Sequence, residues 1–333
     1  MRKVKWGVLG VAKIATEKVI PAMQRAERCD IAAIASRDEA RAREAAGRLG
    51  IARAYGSYEA LLADPEIEAV YNPLPNELHV SWTIKALKAG KHVLSEKPVA
   101  LDANEGRTLI AARDKAGRLV AEAFMVRFHP QWRRARELAQ SGAIGEVGAI
   151  QTFFSYRLLD PKNVRNRPPG GGGLYDIGCY AILTARYIFG DEPIRVVATL
   201  DRDADFGTDR LASALLEFPR GRHLTFTVAT QVSAHQRVTI VGQTGRIEIC
   251  IPFNALPDRP MRIIIDSGAD LVGGGARVEE FPVCDQYGLQ GDAFSRAVLG
   301  EAPFEFPIED AVLNMRVIDA LFHSAERGTW ETP

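Results

Sequence analysis

Val4-Lys5-Trp6-Gly7-Val8-Leu9-Gly10-Val11-Ala12-Lys13-Ile14-Ala15 is the stretch on which the reading of the fold turns. A nearly continuous apolar run over 4–9 stops at a glycine and gives way to a helical pattern over 12–26. An uninterrupted apolar run suits a strand covered on both faces, as central parallel strands are. The turn between them is measured against G-x-G-x-x-G or A, the pattern that binds a dinucleotide pyrophosphate. Gly10 stands where the tight turn is made, Ala12 where the backbone approaches the phosphates, and Ala15 where helix packs on strand. One strict glycine of the three remains, so the segment also reads as a plain strand–turn–helix. Its place at the first turn of an alternating pattern favours the phosphate reading. There the opening helical turn, with Lys13 and Ile14, offers free N–H groups and a positive dipole end to an anion.

Outward from this turn the alternation continues. Apolar runs fall at 30–35, 52–54, 68–72, 91–94 and 119–122, with helical patterns at 38–48, 57–63, 77–89 and 103–116 between them. Strand–helix alternation at this spacing predicts a parallel, doubly wound α/β sheet over 1–123. After 123 the rhythm changes. A helix is expected at 130–141, then strands at 147–157, 194–201, 211–218, 223–231, 236–241, 246–251, 261–265 and 277–281. Short turns such as Pro219-Arg220-Gly221 join them, which predicts a large, mostly antiparallel sheet in an α+β domain over 124–333. Helices at 175–189 and 286–299 are expected to interrupt that sheet, with a last helix over 308–326. The sequence shows no internal repeat, and the glycine runs 170–173 and 273–275 are its low-complexity segments.

Composition excludes several classes of function. The chain has 333 residues, with 42 Lys plus Arg against 42 Asp plus Glu, so its formal net charge is zero. No global field favours nucleic acid or an acidic membrane surface. Apolar residues make up 47% and charged residues 25%, the balance of a folded soluble protein rather than a disordered one. No apolar run approaches the ~18 residues of a membrane span. A signal peptide is not expected, because the first strand pattern begins at residue 4. Cys29, Cys179, Cys250 and Cys284 form no C-x-x-C pair, which argues against a zinc cluster or a disulfide framework and suggests a reducing, cytoplasmic setting. His79, His92, His129, His223, His235 and His323 form no metal-ligand spacing, so a metal-free mechanism is expected.

Three further segments lie at the carboxyl edge expected of the first sheet, where α/β folds bind ligands. The second run ends in Ser36-Arg37 rather than the Asp or Glu that would favour NAD. A hydroxyl and a guanidinium suit the 2′-phosphate of NADP, with NAD still open. Asp38 is read as the N-cap of the next helix. The fourth run leads into Asn72-Pro73-Leu74-Pro75-Asn76-Glu77-Leu78-His79, in which Asn76 can cap the helix that follows. The fifth ends in Glu96-Lys97-Pro98, either a surface ion pair or a fixed functional pair.

These motifs, with Arg127-Phe128-His129-Pro130-Gln131 and Gly170-Gly171-Gly172-Gly173-Leu174-Tyr175-Asp176-Ile177-Gly178-Cys179-Tyr180, resemble the glucose–fructose oxidoreductase and inositol dehydrogenase (Gfo/Idh/MocA) family. The resemblance covers almost the whole chain in motif order and spacing. It implies an N-terminal Rossmann domain and a C-terminal open-faced antiparallel sheet, often used to form dimers or higher oligomers. It implies cofactor contacts from Gly10, Ala12, Lys13, Ile14, Ser36, Arg37, Asn72, Pro73, Leu74, Asn76, His79, Glu96 and Lys97. It places the lysine of Glu-Lys-Pro, here Lys97, beside nicotinamide and substrate. Many members carry His four residues after the Asp; Tyr180 here resembles a subgroup that includes dimeric dihydrodiol dehydrogenase and NADP-linked D-xylose dehydrogenase. Ala12, at the second glycine position, is shared by some of that subgroup. Val126 stands where such sequences often carry Tyr.

Asp176 and Tyr180 are four apart at the start of a helical pattern and so share a face. Taken alone they read equally as a helix-start carboxylate and a core aromatic, and the glycines before them as a flexible loop. In the family context Tyr180 is expected to exchange a proton with the reacting oxygen, its phenol made more acidic by a nearby Lys97. Lys97 could itself carry the proton, and Asp176 would orient substrate hydroxyls or hold Lys97. Arg127, His129, Arg157, Arg165 and Asn166 suit a polyhydroxylated ligand or a solvated surface. The expected activity is NADP(H)-dependent hydride transfer at a hydroxyl- or carbonyl-bearing carbon of a sugar or cyclic polyol. A dihydrodiol or anhydro-sugar oxidoreductase and a non-catalytic redox sensor are the alternatives.

Overall fold

The computed structural model describes residues 1–333, which form two compact units. Met1–Met125 and Asp285–Val312 make the first; Val126–Cys284 and Leu313–Pro333 make the second. The first unit is built on six parallel strands: β1 Val4–Leu9, β2 Cys29–Ala35, β3 Arg53–Tyr55, β4 Ala69–Asn72, β5 His92–Ser95 and β6 Val120–Glu122. Their order is β3-β2-β1-β4-β5-β6. The order reverses between β1 and β4, the switch point at which such sheets hold ligands. β1 and β2 are buried along nearly their whole length, as helices on both faces require. Gly7 lets one helix come close: a Cβ there would lie 2.6 Å from Leu61 Cδ2. Polar caps fix the helix starts, Asp38 on Ala40 and Arg41, Ser57 on Ala60, and Asp102 on Glu105.

The sequence reading assigns everything after 123 to one domain, and the structure corrects it: Asp285–Val312 returns to the first unit. The helix Gln286–Val298, expected to interrupt the second sheet, packs on the first one instead. Phe294 meets Trp6 with ring centroids 5.2 Å apart, and Trp6 Nε1 donates to Ser295 Oγ at 3.0 Å. An amphipathic helix shows which of its faces is buried, not which sheet buries it.

The second unit carries an eight-stranded sheet: β7 Val147–Arg157, β8 Arg195–Arg202, β9 Asp209–Phe218, β10 Arg222–Ala229, β11 Gln231–Gly242, β12 Arg246–Ile249, β13 Met261–Asp266 and β14 Ala276–Phe281. The order is β14-β13-β12-β11-β7-β10-β9-β8, antiparallel throughout except between β7 and β10. Along β7, Ile150, Thr152 and Phe154 are buried while Gln151 and Phe153 are exposed, so one face is covered and the other open. The helix Cys179–Phe189, buried at every position, lies on the covered face. The open face holds a shallow cavity of about 580 Å³ among Gln151, Phe153, Ser213, Thr225, Thr227 and Arg237. No helix is long and apolar enough to cross a membrane.

Candidate active site

The first unit's site forms at the carboxyl edge of its sheet. Gly10 has φ +90°, its N–H donates to Ala35 O at 2.7 Å, and a Cβ there would press on Leu74 Cδ2 at 3.1 Å. A left-handed or close-packed turn of this kind demands glycine. No side chain caps the helical turn that follows, and Val11, Ala12 and Ile14 are half-buried. An uncapped helix start behind a glycine turn has the donors an anion requires. Lys13 is exposed and lies 3.9 Å from Glu17.

Ser36 is buried and its Oγ accepts from Asp38 N at 3.2 Å. Arg37 is exposed and has no carboxylate partner. Arg41, in the first turn of the helix that Asp38 caps, is exposed as well. In the next loop Asn72 is used internally: its Nδ2 donates to His79 O at 3.0 Å and Thr83 Oγ1 at 3.2 Å. Both ring nitrogens of His79 lie 2.7 Å from carbonyls, Nδ1 from Pro98 O and Nε2 from Leu74 O. Burial pushes His79 down to about 4, against the pull of those carbonyls, and as a neutral ring it has one N–H to donate to one of the two. Asn76 does not stand at an N-cap position: those are Pro75 and Leu78. A short 3₁₀ turn, Asn76–Leu78, enters the helix His79–Lys88, and neither N-cap position carries a side-chain hydrogen bond.

Two residues that sequence reasoning missed fix the Lys97 turn. Tyr71 OH donates to Glu96 Oε1 at 2.6 Å, and Val99 N donates to the buried Glu122 Oε1 at 2.8 Å. Glu96 Oε2 accepts from Lys97 N at 3.3 Å, so Glu96 supports the turn directly. A carboxylate closing an otherwise apolar strand, Val120-Ala121-Glu122, is the signal that marks Glu122 in the sequence.

The second unit gathers a different cluster around Asp176 and Tyr180. Tyr156 OH donates to Asp176 Oδ2 at 2.5 Å, and Arg165 Nε pairs with Asp176 Oδ1 at 3.0 Å. Burial first, then the charge of Asp176, pushes the Tyr156 phenol far above its ordinary range, so its proton stays on. Tyr180 is 6% exposed and flanked by Phe154 and Phe253, with ring centroids 6.1 and 5.3 Å away. Tyr156 follows Phe154 by two along β7, a parity that places it on the same face.

The glycines before this turn are packed, not loose. Gly172 has φ +111°, and a Cβ there would fall 1.9 Å from Asp209 Oδ1. A Cβ on Gly171 would fall 2.5 Å from Arg167 O. Asp209 is buried, and its Oδ2 accepts from Leu174 N at 2.7 Å, at the start of the turn that carries Asp176. Burial pushes Asp209 up to about 6, with backbone donors pulling the other way. The glycine run thus admits a carboxylate of the protein itself. His129 caps the helix Pro130–Gln140, its Nδ1 accepting from Gln131 N at 3.2 Å, and burial pushes it down to about 4. Arg127 is buried and Arg157 exposed at the end of β7. Asn166 Nδ2 donates to Asp160 O at 2.9 Å, shaping the loop that presents Arg165.

Residues 4–124 match an oxidoreductase family with an NAD-binding Rossmann fold, and 132–248 match the GFO/IDH/MocA C-terminal domain. The chain belongs to the GFO/IDH/MocA oxidoreductase family. An uncharacterized oxidoreductase of Rhizobium meliloti is 50% identical over the whole of both chains. The NADP-linked D-xylose 1-dehydrogenase of Haloferax volcanii is 41% identical over 97% of this chain and 98% of its own. A 3-ketoreductase from Actinomadura kijaniata, crystallised with NADP and TDP-benzene, superposes with a TM-score of 0.90 at 31% identity, covering 97% and 98% of the two chains. The resemblance drawn from the motifs is therefore correct at the level of the family, and this GFO/IDH/MocA protein is an oxidoreductase. Its Gly10 turn and uncapped helix start fit the pyrophosphate of a nicotinamide dinucleotide.

Proposed function

We propose that the protein transfers hydride between NADP(H) and a hydroxyl- or carbonyl-bearing carbon of a sugar or related cyclic polyol. The observation that carries the reading is the Asp176–Tyr180 turn. Tyr156 is committed as a hydrogen-bond donor to Asp176, and the reading assigns proton exchange to Tyr180, four residues after Asp176. When bound, the nicotinamide gives or takes the hydride. Tyr180 exchanges the proton of the reacting oxygen, a contribution typically worth ~10²–10⁴-fold. Lys97 is the first unit's proposed hydrogen-bond donor to the substrate. Asp176 orients substrate hydroxyls and positions Tyr180, with Arg127, His129 and Arg157 as further polar contacts. Because His129 Nδ1 is occupied, only its Nε2 is available for such a contact.

For the cofactor, Gly10, Ala12, Lys13 and Ile14 border the pyrophosphate. Asn72, Pro73, Leu74, Asn76, His79 and Glu96 shape the ribose and nicotinamide side. Ser36, Arg37 and Arg41 receive the 2′-phosphate, since an unpaired guanidinium at this edge suits a doubly charged anion. The NADP-linked xylose dehydrogenase and the NADP-bound ketoreductase support this choice. The open face of the second sheet is the proposed surface for a homodimer or higher homo-oligomer. The proposed setting is the cytoplasm, where four separated thiols stay reduced. A screen at ~340 nm, the band of reduced nicotinamide, with NADP+ and NAD+ against aldoses, inositols and cyclic diols, tests the reading. Turnover of an aldose with preference for NADP+ is expected; tight NADP+ binding without turnover of any of them would refute it.

A further inference from the structure

The turn that carries Asp176, Leu174–Gly178, opens without a cap of its own. Gly173 stands at its N-cap position and has no side chain to offer. The free N–H groups at such a start need an acceptor, and a carboxylate suits both the donors and the positive dipole end. Asp209 supplies it from the first residue of β9, 35 residues along the chain. It is 1% exposed, its Oδ2 accepts from Leu174 N at 2.7 Å, and Gly173 N faces the same carboxylate. The glycines before the turn make room for it: a Cβ on Gly172 would lie 1.9 Å from Oδ1, and one on Gly173 3.3 Å from Oδ2. We propose that Asp209 is a positioning residue for the reaction, which by holding Leu174 fixes where Asp176 and Tyr180 stand. The inference rests on the reading of Asp176 and Tyr180 as the groups that meet the substrate.

Two short links carry that hold to the site. The first is backbone: Asp176 N donates to Gly172 O at 3.0 Å, so a residue that encloses the Asp209 carboxylate also anchors Asp176. The second is packing: a Cβ on Gly178 would lie 2.7 Å from Leu174 Cδ1, so the buried Leu174 side chain fills the space at Gly178, two residues before Tyr180. The helix Cys179–Phe189 runs on from the turn with helical φ/ψ at both Gly178 and Cys179, so a shift at Leu174 passes along it to Tyr180. The Asp176 side chain has anchors of its own in Tyr156 and Arg165. Loss of Asp209 should therefore leave the fold in place while the start of the turn loosens. Misplacing a reacting group by about 1 Å can lower a rate ~10²-fold.

Two of the three readouts need no substrate. Hydrogen exchange of the Leu174 amide is followed at pH 8, where Asp209 is ionised. In protein labelled with ¹³C at tyrosine Cζ, the resonance missing from Tyr180→Phe belongs to Tyr180. Asp209→Ala is expected to speed Leu174 exchange at least ~10-fold and to shift the Tyr180 resonance. With an aldose that turns over, the same variant should lower kcat by ~10- to 100-fold and leave KM for NADP+ within about twofold, because the proposed dinucleotide contacts lie in the first unit. Asp209→Asn, which keeps an acceptor for Leu174 N, should recover most of each loss. If Asp209→Ala does not fold, Asp209→Leu, of similar shape but without an acceptor, carries the same expectation. Unchanged Leu174 exchange, an unmoved Tyr180 resonance, or an Asn variant as impaired as the Ala one overturns the proposal. A wild type that turns over no aldose counts against the proposed reaction instead, and the exchange and the resonance still decide on Asp209.

Discussion

Gly172→Ala is expected to damage the candidate site without touching any reacting group. Two costs arise. At φ +111° a side chain strains the backbone, a penalty of roughly 1–3 kcal/mol. The new Cβ would also lie 1.9 Å from Asp209 Oδ1, so either the buried carboxylate or the chain must move. Forcing atoms into a filled interior typically costs ~1–3 kcal/mol more. Gly190 provides the control. It has φ +67° in the same unit, and a Cβ there meets nothing within 4 Å. Gly190→Ala should therefore lose only ~1–2 kcal/mol of backbone strain. Urea unfolding of both variants at pH 7 measures the difference, and kcat reports whether the Asp176–Tyr180 turn has shifted. Replacing Asp209 by Ala as well removes the clash, so the double variant should be less destabilised than the two single losses together. If Gly172→Ala is no more costly than Gly190→Ala, the glycine run is an ordinary flexible loop and the account of its packing fails.

Two further outcomes follow from the first unit. Arg37→Ala should raise KM for NADP+ by about 10- to 100-fold while leaving NAD+ nearly unchanged, the cost of one charge-assisted phosphate contact; equal effects on both cofactors would place Arg37 elsewhere. His79 is neutral in the fold, with its pKa lowered to about 4 from 6.5, so its contribution is present above pH 6.5 and lost as pH falls toward 4. Between pH 8 and pH 5 that amounts to about 2 kcal/mol, and the acid loss of stability should be smaller by this amount in His79→Asn; identical slopes would contradict a buried neutral ring.

The first unit's framework was legible because local and global signals agree there. Continuous apolar strands, caps such as Asp38 and stops such as Gly50 and Gly117 each act within a few residues. Motif spacing also located the Gly10 turn, which has φ +90°. Partners brought in from distant segments were not legible. Tyr156, Asp209 and Glu122 act through contacts across 20, 35 and 23 residues, and a polar residue ending or lining a strand looks the same whether it holds a site or faces water. The return of Asp285–Val312 to the first unit was hidden for the same reason, since the Trp6–Phe294 contact leaves no trace in either local pattern. Asn76 shows the opposite error: a residue suited to capping stands where the chain takes a 3₁₀ turn instead.

The central claim is hydride transfer from a sugar carbon with Tyr180 carrying the proton. The most direct test incubates the protein with NADP+ and C1-deuterated D-xylose and follows deuterium in the nicotinamide by mass spectrometry. Wild type is expected to produce deuterated NADPH, and Tyr180→Phe to do so at least ~10²-fold more slowly. Absence of deuterium in the cofactor with this and every other deuterated aldose, or equal rates in the two proteins, would contradict the account.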